Sequence, residues 1–419
     1  MRGRQGRHAA WLPLGCLLFL LPARARASYE EFSTLNVGRT EEDDEYMFDQ
    51  ELSRTPSYWR DEYDHASNAF RASQGCFTAG QWHIDNNLKF TVPLGDTAKF
   101  TLDYLDYADM ESVYGWTRLE ARFPIVHTGT WGYRYTPNFD KSRQDMALFW
   151  EHGNAFTPLQ LQGVFTLEDV FNNFWSQRQV KVGGEPEPYI RHPYEPAMSV
   201  TWRGSGPKFS VNGKWLTPST KHFETRDSTL RRTEKLWGAK GNSDVSQRIG
   251  DATIAAAFEM VTASSYAYWD QQPGDHHQFA RRWRITGSLT QDIGEHGHVA
   301  VRYYYMDRTQ VWRPPFANTT LNVIDRCVMV DSWFKAPWGL GARVGGLRDR
   351  VTVWHDGGIY GLPAFDSQGT RYEDRVIISL QKLFGRVRLQ GIEGIELDKE
   401  PYPVTFHHDK GFLFLQTTF

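Results

Sequence analysis

Cysteine is scarce in this chain, and long hydrophobic runs are absent once its first residues are passed. Of its three cysteines, Cys16 sits inside an apolar leader, which leaves Cys76 and Cys327. A single disulfide between them is open to the chain in an oxidising compartment, but no spacing framework points to it, and two unlinked residues are the expectation. No stretch after the leader approaches the ~18 to 20 apolar residues of a transmembrane helix, so helical spans are excluded. A 3.6-residue hydrophobic period is missing too, which excludes a helical domain. The chain also lacks a nucleophile elbow, a zinc-protease motif and a phosphate-binding glycine loop. His276-His277 and His407-His408 are adjacent pairs whose rings point to opposite faces of a strand, and His296 with His298 has no third ligand at suitable spacing. No metal, cofactor or enzymatic activity is expected. The formal net charge of -3 gives no basic footprint for nucleic acid.

What is present begins at the amino terminus. Arg2, Arg4 and Arg7 precede the apolar run Ala9 to Leu21, and Ala25 and Ala27 supply the small residues a signal peptidase reads. The pattern predicts a secretory signal peptide over 1–27, cleaved after Ala27. Cys16 lacks a lipoprotein context, because Pro13 stands three residues before it and apolar residues follow it. Residues 28–68 are acidic, with the run EEDDE at 41–45, and show no period of two.

From Gln81 onward the chain alternates. Trp82, Ile84, Leu88, Phe90 and Val92 occupy even positions against Gln81, His83, Asp85, Asn87, Lys89 and Thr91 on odd ones. Phe100, Leu102 and Tyr104 oppose Lys99, Thr101 and Asp103; Leu119, Ala121 and Phe123 oppose Arg118, Glu120 and Arg122. The same dyad runs through 128–135, 144–151, 158–167, 208–215, 282–290, 298–305 and 386–397, and less cleanly through 197–203, 252–268, 321–334, 338–354 and 374–384. Period two with polar residues on every second position reads as strand after strand. Mean hydropathy of -0.56 and 40% apolar residues suit water, yet aromatics reach 15%. A sheet that needs only alternate residues to be apolar, with Trp and Tyr at its water boundaries, reconciles the two.

The last ten residues, Lys410 to Phe419 (KGFLFLQTTF), alternate up to a terminal phenylalanine. This stretch resembles the closing strand of bacterial outer-membrane β-barrels, and the resemblance is to that class rather than to one family. It implies an all-β fold: a closed antiparallel transmembrane β-barrel over 69–419, porin-like, in the bacterial outer membrane, whose closing strand 411–419 is read by the barrel assembly machinery. Connector lengths agree, since tight turns at 93–96, 204–206, 291–297 and 383–385 alternate with long links at 168–196, 217–250, 307–320, 355–373 and 398–410. Strict alternation breaks once, around 217–250. A hidden strand near Thr229 to Trp237 repairs it, and parity then requires another near Phe70 to Phe77, giving about 16 to 18 strands. In this frame residues 28–68 lie in the periplasm or in the barrel mouth. A soluble β-sandwich or propeller is the competing fold.

Function follows from the polar face. If it lines a lumen, Arg118, Arg122, Arg134, Arg282, Arg284, Arg302, Arg386 and Arg388 outnumber the inward acids Asp85, Asp103, Glu120 and Glu396. Such a surplus predicts a channel for small hydrophilic solutes that prefers anions, unless the arginines pair with neighbouring acids and merely stiffen the wall. The 217–250 link, with Lys221, Arg226, Arg231, Arg232, Lys235, Lys240 and Arg248, is a basic surface for lipopolysaccharide phosphates or a solvated loop. Outer-membrane lipid is the expected surrounding and a homo-oligomer is open. Two other readings are a plugged or structural barrel serving as scaffold or adhesion surface, and a secreted carbohydrate-binding protein or enzyme.

Overall fold

The structure, a computed structural model, describes residues 66–77, 82–95, 97–109, 113–125, 128–135, 144–153, 157–168, 189–191, 194–224, 231–269, 272–312, 319–356, 369–398 and 405–419. The leader 1–27, residues 28–65 of the acidic segment and most of the 168–196 link lie outside them.

Nineteen strands follow in order: β1 (Asn68–Phe77), β2 (Trp82–Leu94), β3 (Ala98–Asp109), β4 (Val113–Ile125), β5 (Gly129–Tyr135), β6 (Gln144–His152), β7 (Leu159–Glu168), β8 (Tyr189–Arg191), β9 (Tyr194–Arg203), β10 (Lys208–Glu224), β11 (Arg231–Ile249), β12 (Ala252–Trp269), β13 (Gln272–Asp292), β14 (Gly297–Trp312), β15 (Thr319–Ala336), β16 (Leu340–Asp356), β17 (Gly369–Phe384), β18 (Val387–Asp398) and β19 (Thr405–Thr418). The three-residue β8 pairs with the far end of β10, on the same edge that β9 occupies. Every other strand pairs antiparallel with its neighbours, and β19 returns to β1 from Ala69↔Thr418 to Phe77↔Lys410. The sheet is therefore a closed 18-strand antiparallel barrel. At the seam the Phe419 amide donates to the Asn68 carbonyl at 3.1 Å, and the Phe419 ring meets Phe90 edge-on at 5.9 Å.

Both hidden strands exist, as β1 and β11. The seam lies at the same end as the tight turns at 250–251 and 385–386, where Gly250 and Gly385 each take φ +61°, the left-handed value a side chain resists. The ends of β7 and β16, at Glu168 and Asp356, lie at the other end. One expectation fails. Most of the 217–250 link is strand, because β10 runs to Glu224 and β11 starts at Arg231. Its bases are distributed by strand parity instead of being pooled in a loop: Lys240 points inward, Lys235 outward, and Arg248 pairs with Asp292 at 2.9 Å near the tight-turn end. A run of charge alone does not distinguish a loop from a strand whose polar face is wet.

The two faces differ in kind. Phe123, Trp131, Leu148, Trp202, Trp215, Ile254, Leu289, Val330 and Leu380 are exposed on the outside, whereas the opposite parity carries the charges and is largely buried. A soluble sandwich or propeller would bury its apolar faces against one another. Here they point away from the sheet, and the soluble alternative is overturned. Cys327 is buried on the inner face and forms no disulfide.

If this outer face meets hydrocarbon, charge on it is costly in proportion to depth. Val330→Arg, six residues above the end of β15, is expected to destabilise the folded barrel by about 2–4 kcal/mol in vesicles, and Thr352→Arg, near the far end, by about 0–1 kcal/mol. Urea titration of the refolded protein in lipid would show equal, small effects if the face were instead wet.

Candidate functional site

Strand parity brings the polar positions of consecutive strands together on the inner wall. Asp103 of β3 stands opposite Arg118 of β4 and is ion-paired with it. Glu120, one inward position along β4, accepts from Arg122 Nε at 2.6 Å and from Arg134 Nη2 of β5 at 2.9 Å. Arg122 also reaches Glu151 of β6 at 2.7 Å, and the Gln162 amide of β7 donates to that carboxylate at 2.9 Å. Between these groups lies Phe149, with the Arg122 and Arg134 guanidiniums 5.1 and 5.5 Å from its ring centre. Its ring fills the space above Gly132, where a Cβ would stand only 1.9 Å from the nearest ring carbon. The glycine is thus the seat of the aromatic that the two arginines cover.

A second network lies about a third of the way round the barrel, on β11–β13. Glu259 of β12 is met by Arg284 at 2.7 Å and Arg282 at 3.4 Å from β13, and by Lys240 at 3.8 Å from β11. Three bases converge on one carboxylate. Asp331 of β15 is met by Arg343 of β16 at 2.8 Å and Arg302 of β14 at 3.5 Å. Arg375 of β17 lies 2.6 Å from Glu373 and 3.6 Å from Asp349, and Lys214 of β10 lies 2.6 Å from Glu195 of β9. Pairing of this kind stabilises little in net terms, since desolvation offsets most of the attraction, but removing one partner leaves a charge without its counterion and costs about 3–5 kcal/mol.

The inner wall also has two apolar patches. On β6, β7 and β9 they are Ala147, Phe149, Val164 and Ala197. The larger runs from Tyr304 and Met306 on β14, through Cys327 and Met329 on β15, Leu347 on β16, Ile377 on β17 and Ile392 on β18, to Phe412 and Phe414 on β19. Met306, Met329 and Ile377 are 0% exposed although they belong to the inward parity.

Of the residues the sequence nominated, Asp103, Arg118, Glu120, Arg122 and Arg134 meet in the first network, and Arg282 and Arg284 in the second. Arg302 joins Asp331. Arg388 lies opposite Gln416 on the inward parity of β18, whereas Arg386 falls in the turn before that strand and is exposed. Asp85 lies on β2 opposite Ser73, and its side chain is outside the described ones. Glu259, Glu151, Lys240, Asp331 and Arg343 were not nominated as a group, because their neighbours lie one strand away in space and tens of residues away in sequence.

No family model and no curated protein sequence matches the chain. Among solved structures it is similar to CdiB from Acinetobacter baumannii at 12% identity and TM-score 0.41, covering 84% of this chain and 59% of that one. The chain thus spans less than two thirds of CdiB. It is also similar to OccK10 (OpdN) of Pseudomonas aeruginosa at 10% identity and TM-score 0.38, covering 84% and 98%, and to in-vitro folded OmpT, an outer membrane protein of Vibrio cholerae, at 10% and 0.37, covering 84% and 97%.

No helix among the described residues is long and apolar enough to cross a membrane. A closed sheet that satisfies its own backbone, with apolar residues outside and ion pairs within, is the other structure that spans a bilayer. The chain is a closed transmembrane β-barrel. Outward aromatics near the tight-turn end, among them Trp131, Trp202, Phe123, Phe334 and Phe384, form the girdle such a barrel sets at its water boundary.

The packing of Phe149 yields a direct test. Gly132→Leu drives carbon into the ring and is expected to cost about 1–3 kcal/mol or more, seen as a lower refolding yield and a weaker heat-modifiable band on gels. Gly163→Leu, on the outer face with nothing within 4 Å of its Cβ position, is the control and should refold as wild type.

Proposed function

We propose that this barrel is a channel that passes small hydrophilic solutes by diffusion, with a preference for anions set by the inner wall of β11–β13. The observation that supports the reading is the convergence of Lys240, Arg282 and Arg284 on the one carboxylate of Glu259. A local surplus of bases in a narrow, low-dielectric passage concentrates small anions and repels cations. Glu259 holds the two guanidiniums side by side, and the first network, where Asp103, Glu120 and Glu151 face Arg118, Arg122 and Arg134, is close to balanced. Selectivity is accordingly assigned to one side of the lumen.

A second reading is favoured by the buried apolar patch on β14–β19. Porin interiors are polar. A patch of Met, Ile and Phe on the inner wall suits a barrel filled on that side, acting as a scaffold or as a channel of small bore.

Planar-bilayer recording of the refolded protein separates the two. Stable single-channel steps with a reversal potential of anion sign are expected. Arg282→Gln with Arg284→Gln should lower the anion-to-cation permeability ratio by about threefold or more, and Glu259→Gln should raise it. Insertion without conductance would discard the channel in favour of the filled barrel, and steps indifferent to both substitutions would discard the assignment of selectivity to β11–β13.

A further inference from the structure

On the outer face of the barrel, four residues of four adjacent strands stand in one cross-strand row where the apolar surface ends. Tyr305 of β14 is aligned with Arg326 of β15, Arg326 with Arg350 of β16, and Arg350 with Tyr372 of β17. Their sequence neighbours Asp325 and Asp349 are buried on the inner face, whereas both arginines are exposed on the outer one. Each guanidinium lies over the flanking ring, Arg326 at 5.6 Å from the centre of Tyr305 and Arg350 at 5.8 Å from that of Tyr372.

Two like charges directly opposite on neighbouring strands repel each other, and such a pair is destabilising by itself. Cation–π contact offsets part of the cost without neutralising either charge. The nearest acids do not settle the pair. Asp374 is held by Arg348 in a bidentate contact at 2.7 and 2.9 Å, and Asp307, on the outward parity of β14, is aligned with Ile324.

Height along the strand says what the row faces. Toward the tight turns the same face carries Val328, Val330 and Phe334 on β15, Leu340 and Val344 on β16, and Ile378, Leu380 and Phe384 on β17. Arg326 is ten residues above the end of β15 at Ala336. At ~3.3 Å per residue and a tilt of ~40°, it stands about 25 Å above that end, which is the height of the apolar band of an outer-membrane barrel. The row therefore lies at the lipid boundary on the side of the Asp356 end of β16, where the headgroups of the outer leaflet are.

We propose that Arg326 and Arg350 form a clamp for a phosphate of lipid A in outer-leaflet lipopolysaccharide. A dianionic phosphate has oxygens enough for both forks, cancels the repulsion, and leaves the tyrosine rings to meet the glucosamine rim. The proposal depends on the barrel standing in the outer membrane and not on whether its lumen conducts.

Native mass spectrometry of the detergent-refolded full barrel, titrated with bisphosphorylated lipid A, tests it. Arg326→Gln with Arg350→Gln is expected to weaken binding about tenfold or more, as fits the loss of charge-assisted bonds, while Arg348→Gln, whose partner is Asp374, changes it less than about threefold. Wild-type protein should bind dephosphorylated lipid A about tenfold more weakly, a comparison that needs no variant to fold. Equal binding by the double variant, or indifference of the wild type to the phosphates, would overturn the clamp. Displacement of lipid A by an equal concentration of inorganic phosphate would assign the pair to free phosphate and overturn the lipid assignment.

Discussion

Backbone hydrogen bonding in hydrocarbon is the constraint on which the rest of this structure depends. A strand in lipid with an unpaired edge leaves several N–H and C=O groups without partners, each at a cost of several kcal/mol. The chain meets the demand by returning β19 to β1 over nine consecutive residue pairs, from Ala69↔Thr418 to Phe77↔Lys410. Closure fixes parity as well. Once β1 and β19 are in register, shifting any strand by one residue would turn its arginines to lipid and its leucines inward, so the alternation that satisfies one strand must satisfy all of them.

Parity then dictates how charge is handled. A polar inner wall of closely spaced strands brings side chains about 5 Å apart across each ladder, and bases and acids placed there by independent strands must be matched. The barrel does this with hubs. Glu120, Glu259 and Asp331 each bind two or three bases, drawn from adjacent strands except for Arg122, which shares β4 with Glu120. One carboxylate per hub fixes long, flexible side chains from more than one strand, which stiffens the wall with few charges left to move. The outer row at Arg326 and Arg350 has no such hub, and it lies where the surroundings can supply the anion.

Much of the fold was legible in the sequence because lipid imposes the pattern directly: Trp82 to Val92 and Lys410 to Phe419 alternate as their strands require. The two hidden strands were recovered from parity alone. Strands 321–334, 338–354 and 374–384 read poorly for a reason now visible, since their inner face is itself partly apolar. Leu321, Val323, Cys327 and Met329 alternate with Ile324, Val328 and Val330, and a residue string that is apolar on both faces has no period of two. Asp103 and Glu120 could be named together with the arginines they meet, but Glu259 and Asp331 could not be assigned to Arg282, Arg284 and Arg302, because those partners meet through a register that no local spacing encodes. Charge on 217–250 misled in the opposite way, by imitating a loop.

The ring order places these features against one another. In an 18-strand closed ring, β3 and β13 stand half a turn apart, as do β7 and β17. Asp103 with its arginine therefore faces the side that holds Arg282 and Arg284, while Val164 faces Ile377. The two apolar patches thus face each other, with the Asp331 and Arg375 ion pairs set among the residues of the larger one. On the proposed channel function, a small ion between the charged walls would stay within reach of guanidiniums on both sides. Of the two charged walls, the one built on Asp103, Glu120 and Glu151 is near neutrality and the one built on Glu259 is not. On the proposed channel function, an anion would be drawn to the β11–β13 side.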